Sequence, residues 1–272
     1  MPKRAKAPKG FYTASDVMKL LAIPSSTLYD FVKAGKIERV VPPNRSDGYY
    51  PKGPVDAMVR AKQVFLIQYA TDPALFVKAT AEDAQGIYDV GVSLWGTIGT
   101  PPVETRLGWY QSNPDIDYVI KQEGVVAGYI SLMPLKHETL EQLLSGEKRG
   151  WEVTPDEILP FLPGIPLECF VMALGVRAGL RKAKVYGMRL LIGSIHTLGE
   201  LAKQGVIIDK FYATSNSPDG IKACRDLGFE EIDPIPDTTR RRFVLDVATS
   251  NSLLLEEYHE AVKQQRTQQR EH

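Results

Sequence analysis

Residues 167–215 set the strictest limit on what this chain folds into. "LECFVMALGV" (167–176) is apolar apart from Glu168 and reads as one buried strand. A helix is expected over about 186–203, with Leu190, Leu191, Ile195, Leu198 and Leu201 on its core side, and "VIIDKFYATS" reads as the next strand. Strand, long helix and strand in succession call for a sheet with a helix laid on it. Ser217-Pro218 opens a further helix that Gly228 ends, and "FEEIDPI" and "RRRFVLDVA" add two strands. Upstream, "DYVIKQEGVVAGYISLMPL" reads as a hairpin turning at Gln122-Glu123-Gly124. Two helices precede it, in "TAEDAQGIYDVGVSLWG" and "PVETRLGWYQSNPD". Lys136–Pro166 lacks strand signals and contains one helix start, at Thr154-Pro155 with Glu157. The alternation of helical and strand patterns indicates a mixed α/β or α+β domain.

The net charge is zero, but it divides unevenly along the chain. Residues 1–70 carry 12 Lys/Arg and 5 Asp/Glu, 12 − 5 = +7, and the rest carry 21 and 28, 21 − 28 = −7. A basic head suggests a polyanionic partner, an unevenly charged solvated surface being the alternative. Residues 1–10 hold Lys3, Arg4, Lys6 and Lys9 among small residues and prolines, and are expected to be a disordered tail. Thr13 and Asp16 read as a capping box, and Val17, Leu20 and Leu21 follow at helical spacing. A second helix opens at Ser25 or Ser26 as cap, buries Leu28, Phe31 and Val32, and stops at Gly35. "KIERVVPPNRSDGYY" reads as a small hairpin and Pro54–Tyr69 as a third helix.

Tyr-Thr-Ala-Ser-Asp-Val, then Ser-Thr-Leu-Tyr, then Lys-Ala-Gly-Lys-Ile, resembles the winged helix-turn-helix domains of the MerR and excisionase type over about residues 11–68. The resemblance implies binding to double-stranded DNA. It implies that Ser25, Ser26, Thr27 and Tyr29 begin a helix in the major groove, that Lys33 and Lys36 lie near phosphates, and that Asn44 and Arg45 form the wing, with Arg4 in the basic tail beside them. On their own, Ser26 reads equally as a cap and Lys33 as helix-end charge. Readers of this type bind paired half-sites, so a homodimer is expected.

The element order of the body resembles the GNAT acyltransferase fold over about residues 75–248, which implies an α+β domain with a mixed, mostly antiparallel sheet flanked by helices. "VRAGLRKAKVYGMRLL" (176–191) occupies the place of that family's pyrophosphate loop. The resemblance implies an acetyl-CoA or other acyl-CoA held by Leu174, Val176, Arg181, Lys182, Lys184, Val185, Tyr186, Gly187, Met188 and Asn216. Aligned on Leu190-Leu191, Val185 falls where the family has its first glycine, and a β-branched residue there is expected to narrow the phosphate cradle. Without the resemblance, the segment reads as a basic strand-to-helix turn. The resemblance also places a catalytic base at Glu168, whose pKa is expected to be raised by desolvation, and a proton donor at Cys224. Their plain alternatives are a strand-end glutamate facing water and a small apolar residue inside a helix. Tyr186 and Tyr212 are further possible donors.

Two cysteines and four scattered histidines offer no disulfide framework and no metal-ligand spacing, so no metal is expected and a reducing, cytoplasmic, nucleoid-associated setting is. No apolar run reaches the ~18 residues of a membrane span. The expected organisation is a tail (1–10), a winged helix-turn-helix domain (11–69), a GNAT-like domain (70–250) and a polar C-terminal helix (251–272) available to a partner subunit. Two functions follow from the resemblances. One is a transcription regulator whose body senses an acyl-CoA, and the other is an N-acetyltransferase brought to DNA; a body serving only for dimerisation is a third.

Overall fold

The computed structural model describes residues 7–21, 23–43, 48–68, 74–233, 238–250 and 252–270. The chain separates into two compact units, Met1–Thr71 and Asp72–His272.

In the first unit, strand β1 (Phe11–Thr13) leads into helix α1 (Ala14–Leu21), and α2 (Ser25–Lys33) follows. Strand β2 (Tyr49–Pro51) then leads into α3 (Lys52–Gln68). The Thr13/Asp16 box forms in both directions: Thr13 N–H donates to Asp16 Oδ2 at 3.0 Å and Asp16 N–H to Thr13 Oγ1 at 3.2 Å. Aspartate, a methylene shorter than the usual glutamate, still spans the turn. Gly35 ends α2 at φ +68°, with Lys36 N–H bonded back to Phe31 C=O at 2.8 Å. Neither Ser25 nor Ser26 caps α2: the cap is Pro24, and both serines are exposed within the first turn. The expected hairpin after Gly35 keeps one bridge, Val40 to Tyr49, while β2 pairs instead with β1, a strand not foreseen in the sequence. Val17, Leu21, Leu28, Ile37, Tyr50 and Val55 close the core.

The second unit is α+β. After strand β3 (Leu75–Lys78) come helices α4 (Ala84–Trp95) and α5 (Val103–Ser112). The hairpin of β4 (Asp117–Gln122) and β5 (Val125–Pro134) follows, then α6 (His137–Ser145) and β6 (Pro166–Val176). Helix α7 (Ala183–Lys203) leads to β7 (Ile207–Ser215), α8 (Pro218–Asp226), β8 (Glu230–Ile232), β9 (Arg241–Asp246) and α9 (Glu256–Arg270). The strands form one sheet in the order β3-β4-β5-β6-β7-β9-β8, in which β6 and β7 are parallel and the other neighbours antiparallel. That pair has to be parallel because α7, roughly 32 Å long, carries the chain back from the end of β6 to the start of β7. No described helix is long and apolar enough to cross a membrane.

The two sheet faces are covered differently. On one, Leu190, Leu198 and Leu201 of α7 pack on Leu167, Cys169, Phe211 and Phe243, and Leu254 and Leu255 in the turn before α9 join Tyr258 and Ala261 of α9 there. The C-terminal helix therefore lies on its own unit, contrary to the expectation that it is free for a partner. Its acidic start, Glu256-Glu257, masks a buried stripe that is real but short in apolar mass. Tyr258 Oη accepts from Ile208 N–H at 2.7 Å and donates to Val206 C=O at 3.1 Å. Tyr258→Phe leaves both groups buried without that partner, and urea denaturation is expected to show a loss of about 1–3 kcal/mol. A midpoint unmoved by the change would mean that this hydroxyl does not tie α9 to β7.

On the opposite face, Trp109, Met133, Leu140, Leu143, Val153 and Phe170 form a second core beneath α5 and α6. Helix α6 was not expected from the sequence, where 136–166 lacks a clear periodic stripe. At its centre Arg106 is fully buried against Asp117, which also accepts from Tyr110 Oη at 2.7 Å and from Ser131 Oγ. The Arg106 guanidinium lies 5.4 Å from the Trp109 ring centre and 5.2 Å from that of Tyr129.

Candidate functional site

Strand β6 carries two irregularities that shape the sheet around Glu168. Ser131 pairs with Ala173 and Leu132 with Val171, so Met172 is an extra residue bulged out of the ladder. On the other side, β6 and β7 pair last at Val171 and Ala213, although β6 runs on to Val176. Beyond Val171 the β7-facing edge of β6 is open. Such a gap, at the carboxyl ends of adjacent parallel strands, is where open sheets take up ligands.

Glu168 precedes this opening by a few residues and faces the α5/α6 side with Phe170, by the two-residue period of a strand. It is partly buried. Its Oε1 accepts from Tyr212 Oη at 2.9 Å and its Oε2 is 2.8 Å from His137 Nδ1. His137 starts α6 and also lies 3.4 Å from Glu141, one turn on. Burial pushes the Glu168 carboxyl up, but the hydrogen bonds from His137 and Tyr212, helped by the charge of Lys210, outweigh it, and its pKa lies below the ordinary glutamate value. The raised pKa expected from the sequence is therefore corrected: desolvation operates, and two donors invisible in the local sequence overcome it. The same contacts raise His137, through the Glu168 hydrogen bond first and then the charges of Glu168 and Glu141. Burial and Glu168 push the Tyr212 phenol up to about 12, which keeps it a donor at neutral pH.

These shifts have opposite signs and a common window. The lowered Glu168 contributes stability that is present above its unfolded pKa and is lost as pH falls through its folded one. The raised His137 contributes stability that is present below its unfolded value and is lost as pH rises through its folded one. The pair is thus intact from below the ordinary glutamate value to above the ordinary histidine value. In an NMR titration the His137 midpoint is expected above 6.5, falling back toward it in Glu168→Gln. A midpoint at 6.5 in both proteins would mean that the pair does not form in solution.

The residues expected to hold a cofactor lie at the end of β6, before and within the first turns of α7, and just after β7. Helix α7 begins at Ala183, three residues earlier than the apolar stripe suggested, so Val185 lies within its first turn and half-buried against the core. Among the described non-glycine residues only Glu123 has positive φ, so Val185 is under no left-handed demand and narrows no loop on that account. That expectation is corrected: the position needing glycine is Gly179, at φ +79°. Tyr186 points into the core with its hydroxyl buried and without a hydrogen-bond partner, so it is turned away from any donor role. At Gly187 a Cβ would come no nearer than 3.9 Å to Val176, an ordinary contact. Leu174 and Val176 are half-buried on the α7 face, Met188 is half-buried, and Asn216 is exposed at the end of β7.

What remains at the start of α7 suits an anion. Arg181, Lys182 and Lys184 are exposed there, and the N-cap, Lys182, makes no side-chain cap bond. Ala183 N–H bonds to Leu180 C=O and Tyr186 N–H to Lys182 C=O, whereas the first-turn amides of Lys184 and Val185 have no carbonyl a turn behind them within the helix. Free amides, the helix dipole and three cations together fit phosphate oxygens. Cys224 packs against the main core with its thiol pushed up to about 11 by burial, as the plain reading of that residue expected. No cluster of His, Cys, Asp or Glu able to hold a metal occurs among the described residues.

In the first unit, Ser25 and Ser26 are exposed, Thr27 is half-buried, and Tyr29 is 65% exposed on α2. Lys33 and Lys36 are exposed, Lys36 with its ammonium 5.5 Å from the Phe31 ring centre. Arg4, Asn44 and Arg45 lie outside the described residues.

No protein-family model matches the chain, and no curated protein does. Distant likenesses occur among solved structures. Ard1 from Thermoplasma volcanium is 11% identical, with a TM-score of 0.42 over 64% of this chain and 97% of that one. An N-acetyltransferase from Staphylococcus aureus Mu50 is 15% identical, with a TM-score of 0.42 over 64% and 99%. The loading GNATL domain of CurA from Lyngbya majuscula is 13% identical, with a TM-score of 0.46 over 66% and 100%.

Proposed function

We propose that the second unit is an acyl-CoA-dependent N-acyltransferase and that the first unit carries it to double-stranded DNA. One observation carries the first half of this reading: Glu168, held by His137 and Tyr212, stands just before the point where β6 and β7 part. An acyl-CoA supplies an activated thioester carbonyl. The first turn of α7, with Arg181, Lys182 and Lys184, is suited to its phosphates, and the open edge of β6 from Met172 to Val176 offers backbone groups to a chain of amides. As the amine nitrogen bonds to the thioester carbonyl carbon, Glu168 receives the amine proton, directly or through one water; the carbon–sulfur bond breaks and coenzyme A leaves as its thiolate, which solvent protonates. Tyr212, protonated at neutral pH, is a hydrogen-bond donor on the same face.

A second reading is a ligand sensor without turnover. The lowered pKa of Glu168 favours it, since a carboxylate held firmly ionised is a weak base. Isothermal titration with acetyl-CoA tests what both readings share. Saturable binding is expected, weakened about tenfold by Arg181→Gln or Lys184→Gln, consistent with charge-assisted phosphate bonds. Absence of binding by the unaltered chain would sink both.

For the first unit, support comes from the +7 charge of residues 1–70 and from Tyr29, an aromatic left 65% exposed beside exposed hydroxyls and lysines on α2. Fluorescence anisotropy on duplex DNA is expected to show affinity falling with salt, a slope reduced by about one unit in Lys33→Gln, and weaker binding in Tyr29→Ala. Affinity indifferent to salt and to both changes would dismiss DNA as the partner.

A further inference from the structure

Two guanidinium groups with no carboxylate partner among the described residues flank the β6/β7 opening. Arg240 is half-buried, and its Nη1 reaches Thr214 Oγ1 at 3.4 Å. Thr214 follows Tyr212 by two residues on β7 and so shares the face of Tyr212 and Glu168. Arg149 leads the loop after α6. The next residue, Gly150, packs so closely on the bulged Met172 of β6 that a Cβ there would strike its sulfur. Burial and the charge of Arg149 pull the Arg240 pKa below the ordinary arginine value, which marks the two as like-charged neighbours.

Neither has an ion pair among the described residues. Of the carboxylates near Arg149 in sequence, Glu152 accepts from the Arg149 backbone N–H at 2.6 Å, and Glu147 forms no ion pair with it. The flanking arginines are engaged elsewhere, Arg241 with Glu231 at 3.1 Å and Arg242 with the carbonyls of Asp233 and Leu144. Two adjacent cations, one of them half-buried, are unfavourable unless an anion sits between them.

We propose that Arg149 and Arg240 hold an anionic group, a carboxylate or a phosphate, on the amine acceptor. This rests on the acyltransferase reading. Thr214 and Met172 each stand one residue past the last β6/β7 pair, so the two arginines flank the opening, and a planar guanidinium suits either oxyanion. Two strand residues span roughly 7 Å, which places the anion several bonds from the amine that Glu168 would serve.

Inorganic phosphate and, separately, malonate are titrated into the full chain by calorimetry. A component of the binding heat is expected to disappear, or to weaken at least tenfold, in Arg240→Gln and in Arg149→Gln, and to persist in Arg181→Gln. Arg240→Lys, which keeps the charge and loses the fork, is expected to fall between. Identical heats in the unaltered chain and both glutamine variants, or none in any, overturn the anion site. Acyl transfer is then compared for ethanolamine against phosphoethanolamine and for butylamine against 4-aminobutanoate, which separates phosphate from carboxylate. A tenfold or greater preference in kcat/KM for one anionic member, abolished by Arg240→Gln, is the expected result. Equal use within both pairs overturns the acceptor assignment. A chain that binds no acetyl-CoA refutes the acyltransferase reading, while the calorimetry still decides the anion site.

Discussion

Replacing Glu168 by Gln is expected to lower the rate of acyl transfer by about 10²–10⁴-fold while leaving acyl-CoA affinity within a factor of two, the range a positioned general base supplies. The amide keeps the shape of the side chain and an oxygen for the Tyr212 hydroxyl. It cannot accept a proton, and it removes the charge that raises His137. Release of free thiol, followed with a chromogenic disulfide, reads the turnover, and calorimetry reads the binding. His137→Gln is expected to cost less, because it removes a neighbour that holds the carboxylate and leaves the base itself. It should also raise the Glu168 pKa, so the acid limb of the rate profile moves to higher pH. Equal turnover in the unaltered and Glu168→Gln proteins would leave the sensor reading standing and the base assignment void.

The second large effect is structural. Asp117→Ala is expected to destabilise the second unit by about 3–5 kcal/mol, since it leaves Arg106 charged and buried without its counter-ion. Arg106 has little to fall back on: its Nε and Nη2 are already buried without hydrogen-bond partners, and Tyr110 loses its acceptor as well. A net stability of some 5–15 kcal/mol makes such a loss close to unfolding. The double change Arg106→Met, Asp117→Ala is expected to recover much of it, because removing both charges abolishes the desolvation cost that removing one exposes. Urea denaturation of the three proteins decides the matter. A double variant less stable than Asp117→Ala would show that the pair contributes net attraction beyond mutual neutralisation.

The strand–helix–strand–helix–two-strand order of the second unit was legible because its apolar residues repeat at strand and helix periods long enough to be unambiguous. The short elements were not: Leu75–Lys78 and Phe11–Thr13 are too brief for periodicity to register, and they exist because a neighbouring strand offers them an edge. Helix α7 begins earlier than its stripe because Ala183 and Lys184 form helix without burying apolar mass. Glu168 was legible as a lone charge in an apolar run. Its partners were not, since His137 lies 31 positions away and Tyr212 lies 44, and only the sheet joins them. Arg149 and Arg240 likewise come from segments far apart in sequence, the loop after α6 and the residue before β9.

A crystal structure of the protein grown with coenzyme A decides whether the β6/β7 opening is an acyl-CoA site. The pyrophosphate is expected on the first turn of α7, within reach of Lys184 and Val185 N–H, and the pantetheine amides along β6 between Met172 and Val176, with the sulfur toward Glu168. Coenzyme A bound elsewhere, or an opening between β6 and β7 filled by the protein's own side chains, would contradict this placement.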